Sequence, residues 1–181
     1  MKRPTRIFAG IRSVLNSLVV IRRATVEDAS AILGCLRAAF EPYRSSYTPA
    51  AFADTVLSEE TIQLRFACMC ILVALNEKRD VVGTIGCSAD GSGEGHLRGM
   101  AVLPAWQGHG VAEKLLQSAE NELAAQACKR ISLDTTEPLQ RAMRFYEKHG
   151  YRCSGNVTDF FGMPLHEYIK SLAGRKSTRA R

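Results

Sequence analysis

The spacing of apolar residues predicts helices in the first third of the chain. Apolar side chains recur at helical intervals between residues 31 and 39, directly after Thr25–Asp28, whose threonine and acidic residues suit a helix N-terminus. This helix should end near Pro42, because the residue before a proline disfavours the helical conformation. A second helix is predicted over Ala50–Leu57, and the helical pattern is weaker after Ser58.

Runs of β-branched and other apolar residues predict the first strands. Leu18–Ile21 forms a short run before the first helix, and Cys70–Leu75 and Val81–Ala89 flank a polar turn, which is the pattern of a hairpin. Strand character resumes over His96–Val102. We therefore expect three antiparallel strands between the helices and the glycine-containing segment that follows Val102.

The second half of the chain alternates between strands and helices. Over Gly110–Ala127, apolar residues recur every four positions with polar residues between them, which predicts a long amphipathic helix. Beyond it we predict a strand, an amphipathic helix that Gly150 terminates, and two final strands, over Ile131–Asp134, Leu139–His149, Tyr151–Cys153 and Phe160–Ile169. This order indicates an α/β protein with a mixed sheet and helices on its faces.

The net charge of +6 is concentrated at the two ends of the chain. Residues 1–23 and 170–181 hold eleven of the 24 basic residues and none of the 18 acidic ones. No linker or repeat divides the rest, so we expect one domain over 19–172, a disordered basic extension at 1–18 and a basic tail at 173–181. Phe8 is the only aromatic residue in these ends, so no specific nucleic-acid binding is predicted.

Targeting signals and cysteine spacing bear on cellular location. The acid-free residues 1–18 resemble either an organelle transit peptide or an extension from an upstream start codon, and Arg12 and Asn16 interrupt the apolar core of a secretory signal. No later run approaches the roughly 20 apolar residues of a membrane span, so no membrane partner is expected. The six cysteines form no C-x-x-C pair and have no histidine at ligand spacing, which predicts a reduced, cytoplasmic protein without a structural metal.

The segment Gln107–Ala112 lies between a predicted strand and the long predicted helix. Its two glycines allow a sharp turn and a close approach to the backbone, and the N–H groups and dipole at the helix start favour a phosphate. A Rossmann fingerprint would need a third glycine, and Pro104–Trp106 separates the segment from the strand. A P-loop would need Gly-Lys-Ser/Thr. We predict a pyrophosphate-binding turn, against the alternative of a plain strand-to-helix connection.

The same segment resembles the signature of the GCN5-related N-acetyltransferase (GNAT) family, Q/R-x-x-G-x-G/A after V-x-P. The chain matches this signature at Val102, Pro104, Gln107, Gly110 and Ala112. The resemblance implies a GNAT-like fold, with a mixed, mostly antiparallel central sheet flanked by helices on both faces, and acetyl-CoA as co-substrate without a metal. The implied main-chain contacts are to the pyrophosphate from Gln107, Gly108, His109, Gly110, Val111 and Ala112, and to the pantetheine from Met100, Ala101 and Val102.

A second segment, Ala142–Tyr151, resembles the A-x-x-F-Y-x-K-x-G-F/Y sequence of the family. The resemblance implies that Tyr146 lies beside the cofactor sulfur and protonates the departing thiolate. A phenol with a pKa of about 10 can donate a proton to a thiolate of comparable basicity. The alternative is that Phe145 and Tyr146 only close the hydrophobic core.

One position departs from the family pattern. The family often carries Asn where this chain has Leu139, and that Asn contacts the pantetheine. Thr135, Thr136 or Gln140 would have to supply the contact instead. We include Thr136 and Ala142 among the predicted cofactor-binding residues.

Transfer to an amine also needs a base, because a lysine-like amine is mostly charged at neutral pH and must lose a proton before it attacks the thioester. His96 lies eleven residues before Gln107, where some relatives that acetylate lysine carry a glutamate base. Its unperturbed pKa of about 6.5 suits this role. Glu94 is the other candidate. The alternatives are a polar strand-edge residue for His96 and a loop carboxylate for Glu94.

The sequence therefore predicts an N-acetyltransferase that acetylates a primary amine of a small molecule, peptide or protein by direct attack in a ternary complex. No cysteine lies in a nucleophile motif. Two alternatives stay open: a non-catalytic acetyl-CoA sensor of the same fold, and a nucleic-acid- or ribosome-associated protein that uses its basic ends. The acceptor is not identified, and the question of a homodimer is left open.

Overall fold

The computed structural model describes residues 19–172, which contain one seven-stranded sheet in the order β1-β2-β3-β4-β5-β7-β6. The strands are β1 (Val20–Arg23), β2 (Cys70–Leu75), β3 (Val81–Ala89), β4 (Glu94–Val102), β5 (Arg130–Thr136), β6 (Arg152–Phe160) and β7 (Met163–Ser171). All neighbours are antiparallel except β4 and β5, which are parallel. The predicted mixed, mostly antiparallel sheet is confirmed. The predicted extension at 1–18 and tail at 173–181 lie outside the described residues.

Helices pack on both faces of the sheet and form two separate cores. The helices are α1 (Ala29–Phe40), α2 (Pro49–Val56), α3 (Glu59–Cys68), α4 (Val111–Ala125) and α5 (Gln140–Lys148). Because successive strand residues point to opposite faces, Leu72 is buried in the core with α4 and α5, whereas the next residue, Val73, is buried in the core with α1, α2 and α3. We call these the α4–α5 core and the α1–α3 core.

Two glycines on the sheet bring α4 close to it. A Cβ atom on Gly83 would lie 2.9 Å from Leu115 Cδ1, and one on Gly95 would lie 2.8 Å from Leu123 Cδ1. Any larger residue would push the helix away from the sheet. The two contacts lie near opposite ends of α4, so they fix its direction and place its N-terminus beside the end of β4.

The sheet opens between β4 and β5. Their pairing ends at Leu97 and Leu133, so the main chain of β4 from residue 98 to residue 102 has no partner in β5. On its other edge, β4 shifts register against β3 between Thr84 and Gly86. At this bulge Gly99 has a φ of +66°, a conformation that favours glycine. The bulge and the opening together create a cleft at the centre of the sheet.

The last two strands differ from the sequence prediction. We predicted strands over Tyr151–Cys153 and Phe160–Ile169, whereas β6 continues to Phe160 and the chain turns at Phe161 and Gly162, both of which have positive φ. β6 is the edge strand of the sheet, and most of its side chains are exposed. A strand with little burial on either face has no alternating pattern of apolar and polar residues, so its second half could not be predicted from the sequence.

Within residues 19–172, all six cysteines are free thiols. The same residues contain no cluster of three or more histidine, cysteine or acidic side chains that could hold a metal ion. None of the described helices has the length and apolar character needed to cross a membrane.

Candidate active site

A cleft of about 700 Å³ lies where β4 and β5 separate, between the two cores. It brings together eleven of the predicted site residues, namely His96, Met100, Ala101, Val102, Gln107, Gly108, Gly110, Ala112, Thr136, Ala142 and Tyr146. Glu94, His109 and Val111 are not among the residues that line it. The side chain of Val111 is buried in the α4–α5 core, so only its main chain is available to a ligand.

The turn before α4 has the form of an anion-binding cradle. Gly108 and Gly110 have φ values of +80° and +77°, and a side chain on Gly108 would project into open space. The first main-chain hydrogen bond of the helix runs from Lys114 N–H to the Gly110 carbonyl, at 3.1 Å. The amides of residues 111–113 precede it, so they are free of intrahelical bonds and lie at the positive end of the helix dipole. These features fit a pyrophosphate.

The Gln107 side chain joins three elements around this cradle. Its Nε2 donates to the Val102 carbonyl at 3.1 Å, and its Oε1 accepts from Arg141 Nη1 at 3.0 Å. Arg141 lies in the first turn of α5, where the helix dipole disfavours a cation, and it lines the cleft. A bound phosphate group would offset this unfavourable position.

Tyr146 projects from α5 into the cleft, and its side chain is almost fully buried. Its hydroxyl donates to Met100 Sδ at 3.2 Å, and burial raises its pKa. The end of α5 is fixed by a Schellman motif, in which the amides of Gly150 and Tyr151 bond to the carbonyls of Glu147 and Tyr146, each at 3.0 Å. The hydroxyl is therefore protonated at neutral pH and is held beside a sulfur atom that accepts hydrogen bonds only weakly.

His96 also lines the cleft, and its two ring nitrogens lie near Ser132 and Asp134. Its Nδ1 lies 3.0 Å from Ser132 Oγ, and Ser132 Oγ lies 3.4 Å from the Gly95 carbonyl. Nε2 lies 3.7 Å from Asp134 Oδ2. Burial lowers the pKa of His96, although Asp134 acts in the opposite direction. The imidazole is therefore neutral and can accept a proton.

Glu94, the second predicted base, lies at the other end of β4 from the cradle. Its Oε2 accepts a hydrogen bond from Arg130 Nε at 2.6 Å, across the parallel pair of β4 and β5. The strands are still paired at this point, and the cleft opens only after Leu97. Glu94 is thus used in an ion pair between strands and is not brought to Tyr146.

Residues 31–151 match the model of the acetyltransferase (GNAT) family. The chain belongs to the GNAT family. The matched region begins in α1 and ends after α5, so it includes β4, the cradle and Tyr146. The resemblance expected from the sequence is therefore confirmed.

Several proteins are similar to this GNAT protein. Yeast N-alpha-acetyltransferase 30 (Saccharomyces cerevisiae) is 32% identical over 74 residues, which are 39% of this chain and 42% of the yeast protein, so less than half of that relative is matched. Among solved structures, PaiA N-acetyltransferase from Thermoplasma acidophilum in complex with coenzyme A is 17% identical, with a TM-score of 0.71 over 85% of this chain and 99% of that one. The NatC complex bound to Gag peptide and CoA is 16% identical, with a TM-score of 0.67 over 86% and 99%. These structures support the fold.

The GNAT protein has no simple replacement for the family Asn at Leu139. The Thr136 hydroxyl bonds to the Tyr47 hydroxyl at 2.6 Å, and the Gln140 amide donates to the Glu137 carbonyl at 2.8 Å. Thr135 Oγ1 is closed off from solvent and has no hydrogen-bond partner among the described residues. The hydroxyls of Thr135 and Thr136 and the Gln140 amide are therefore not free polar groups at the surface of the cleft.

Sequence reasoning missed Asp134, Arg141 and Arg65, all of which line the GNAT cleft. A cation in the first turn of a helix was a signal for Arg141. Asp134 was placed at a strand end, but its distance from His96 depends on the parallel register of β4 and β5. Arg65 lies on α3, where the helical pattern was weak, and no local signal connects it with the cleft.

Proposed function

We propose that this GNAT protein transfers the acetyl group of acetyl-CoA to a primary amine by direct attack in a ternary complex. The observation that carries the proposal is one continuous cleft that contains the glycine cradle, the Tyr146 hydroxyl and the His96 imidazole. Membership of the GNAT family and similarity to a structure solved with coenzyme A support it.

The chain holds acetyl-CoA mainly through its backbone. The amides of residues 108–112 bind the pyrophosphate, whereas the Gln107 amide donates to the Pro104 carbonyl at 3.3 Å, and Arg141 adds a positive charge beside them. The main chain of Met100, Ala101 and Val102, on the β4 edge that β5 leaves unpaired, pairs with the pantetheine. Ala142 and Thr136 complete the contact surface. When bound, acetyl-CoA supplies an activated thioester to the centre of the cleft.

His96 acts as the base in this proposal. Its Nε2 accepts the proton that the ammonium group must lose before the amine attacks the thioester, and the second proton leaves the nitrogen to solvent as the tetrahedral intermediate collapses. Asp134, 3.7 Å from Nε2, stabilises the imidazolium that results. The role requires Nδ1–H to donate to Ser132 Oγ, 3.0 Å away, so that Nε2 is unprotonated.

Tyr146 acts as the acid. Its hydroxyl gives a proton to the sulfur as the carbon–sulfur bond breaks, so the products are an amide and a free thiol. Burial raises the pKa of the phenol, and the same loss of hydration raises the pKa of a thiolate released in the cleft. The pKa of Tyr146, which donates the proton, therefore stays close to the pKa of the sulfur that receives it. Solvent restores the proton to Tyr146 and removes the proton from His96 after each turnover.

Peptide N-terminal amines are the first acceptor class to test. An N-alpha-acetyltransferase is among the relatives, and NatC has been solved with a peptide bound. Small primary amines form the second acceptor class. We include in the proposal that residues 19–172 carry the whole activity.

The test is acetyl-CoA-dependent release of free thiol with a panel of peptides, amino acids and polyamines. Thiol release with at least one acceptor, confirmed by mass spectrometry of the acetylated product, is the expected result. Binding of acetyl-CoA without release for any amine would instead identify a sensor. Equal turnover by a chain of residues 19–172 is expected, and loss of turnover would assign a function to the basic ends.

A further inference from the structure

Arg65 carries a charge that the proposed reaction does not use. It projects from α3 into the wall of the cleft, and its guanidinium packs against the β4 bulge, since a Cβ on Gly99 would lie 2.8 Å from Arg65 Nη1. Among residues 19–172, no group accepts a hydrogen bond from this guanidinium. Asp54 attracts it at longer range, but the Asp54 carboxylate is bonded to Arg98.

The part of the cleft wall formed by Asp54, Arg65, His96, Arg98 and Asp134, here called the acceptor wall, therefore has one guanidinium without an ion-pair partner among the described residues. Arg98 and Asp54 neutralise each other, and Asp134 faces His96. Burial and the nearby Arg98 lower the pKa of Arg65, yet a guanidinium remains charged at neutral pH. A partly buried charge without a hydrogen-bond partner is unfavourable, and a bound anion would remove this cost.

Arg65 lies on the acceptor side of the cleft. Its helix neighbours Ile62 and Phe66 belong to the α1–α3 core, whereas the helix that forms the cradle belongs to the α4–α5 core. Arg65 is also near enough to His96 to lower the pKa of that imidazole. An anion bound by Arg65 would thus be part of the acceptor and not of the pyrophosphate.

We propose that the acceptor amine carries a carboxylate, and that Arg65 binds this carboxylate while His96 receives the amine proton. This inference rests on the proposed function. One guanidinium offers two parallel N–H donors that match a carboxylate, whereas a phosphate dianion would need a second cation, and Arg98 is engaged by Asp54. The carboxylate is either that of a free α-amino acid or an acidic side chain near a peptide N-terminus, and both present the same chemistry.

The test compares acceptors that differ only in this charge. Leucine is paired with leucinamide, and a peptide with glutamate at its second position is paired with the same peptide carrying glutamine. Arg65→Gln should raise KM for the carboxylate member of the preferred pair by roughly 10- to 100-fold, with kcat within threefold. It should leave the amide member unchanged. Arg65→Lys should restore part of the loss, and Arg37→Gln, an exposed arginine of α1 outside the cleft, should have no effect.

The acceptor pair in which Arg65→Gln changes KM shows whether the carboxylate belongs to a free amino acid or to an acidic side chain of a peptide. Equal changes for both members of each pair, or no change in either, would overturn the inference while the proposed function stands. A binding measurement covers the case in which no amine is acetylated. N-acetylleucine should raise the thermal midpoint of the wild-type protein in the presence of coenzyme A more than N-acetylleucinamide does, and Arg65→Gln should abolish the difference. Equal shifts would again overturn the inference.

Discussion

Replacing Tyr146 with phenylalanine should lower turnover strongly and leave the fold almost unchanged. The change removes a hydroxyl whose partner is Met100 Sδ, at 3.2 Å. Because a thioether sulfur is a weak acceptor, the loss should cost no more than about 0.5 kcal/mol in the free energy of unfolding. As the proposed acid, however, the hydroxyl should contribute roughly 10²- to 10⁴-fold to kcat, or about 3–5 kcal/mol of the activation barrier.

A neighbouring tyrosine provides the matched control. The ring of Tyr151 lies 5.7 Å from that of Tyr146, and its hydroxyl donates to Glu120 Oε1 at 3.0 Å, away from the cleft lining. Tyr151→Phe therefore removes a buried hydrogen bond to a charged group, which should cost about 1–3 kcal/mol of stability. Its kcat should stay within a factor of two or three of the wild-type value.

Three measurements separate the two variants. Thiol release at saturating acetyl-CoA and acceptor gives kcat, its dependence on acetyl-CoA gives KM, and thermal unfolding gives the stability change. Tyr146→Phe should change kcat without changing KM for acetyl-CoA or the thermal midpoint. An unchanged kcat would remove Tyr146 from the mechanism. A fall in kcat together with a midpoint drop as large as that of Tyr151→Phe would assign the effect to structure.

Three further predictions use other parts of the site. His96→Gln should remove the decrease in kcat at low pH. In the native protein this decrease should lie below pH 6.5, because burial lowers the pKa of His96 and only the neutral imidazole accepts a proton. A decrease at higher pH would exclude His96 as the base. Thr135→Val should raise the thermal midpoint by removing a buried unpaired hydroxyl, whereas Thr136→Val should lower it by leaving the Tyr47 hydroxyl unpaired, and shifts of the same sign would contradict this. Gly110→Val should abolish stabilisation by coenzyme A, because φ at this position is +77°, and full stabilisation would refute the cradle.

Features that depend on neighbouring residues in the sequence were predictable. The cradle is one contiguous segment, and the periodicity of α4 indicated a helix that starts within a residue of its observed beginning. The hairpin of β2 and β3 also has the predicted bounds, because its strands are buried and its turn is polar. In each case the residues that determine the local structure lie within a segment of fewer than about 20 residues.

Features that depend on pairing between distant segments were not predictable. Glu94 and His96 were both candidates in the sequence, and only the position of the cleft, which His96 lines and Glu94 does not, distinguishes them. The closeness of His96 to Asp134 follows from the parallel register of the same two strands. Arg65 reaches Gly99 through the packing of α3 on the bulge, which no periodicity reveals.

The separation of the two cores has a consequence for how the enzyme can diversify. Ala101 is buried on one side of β4, in the α1–α3 core, and its neighbour Val102 on the other side, in the α4–α5 core. Substitutions in different cores share few contacts, so their effects on stability should be nearly additive. The segment that contains α1, α2 and α3 can therefore change in sequence, or be replaced by that of a related enzyme, while the cradle and α5 keep their structure. New acceptor preferences become accessible by changes to one layer of the protein alone.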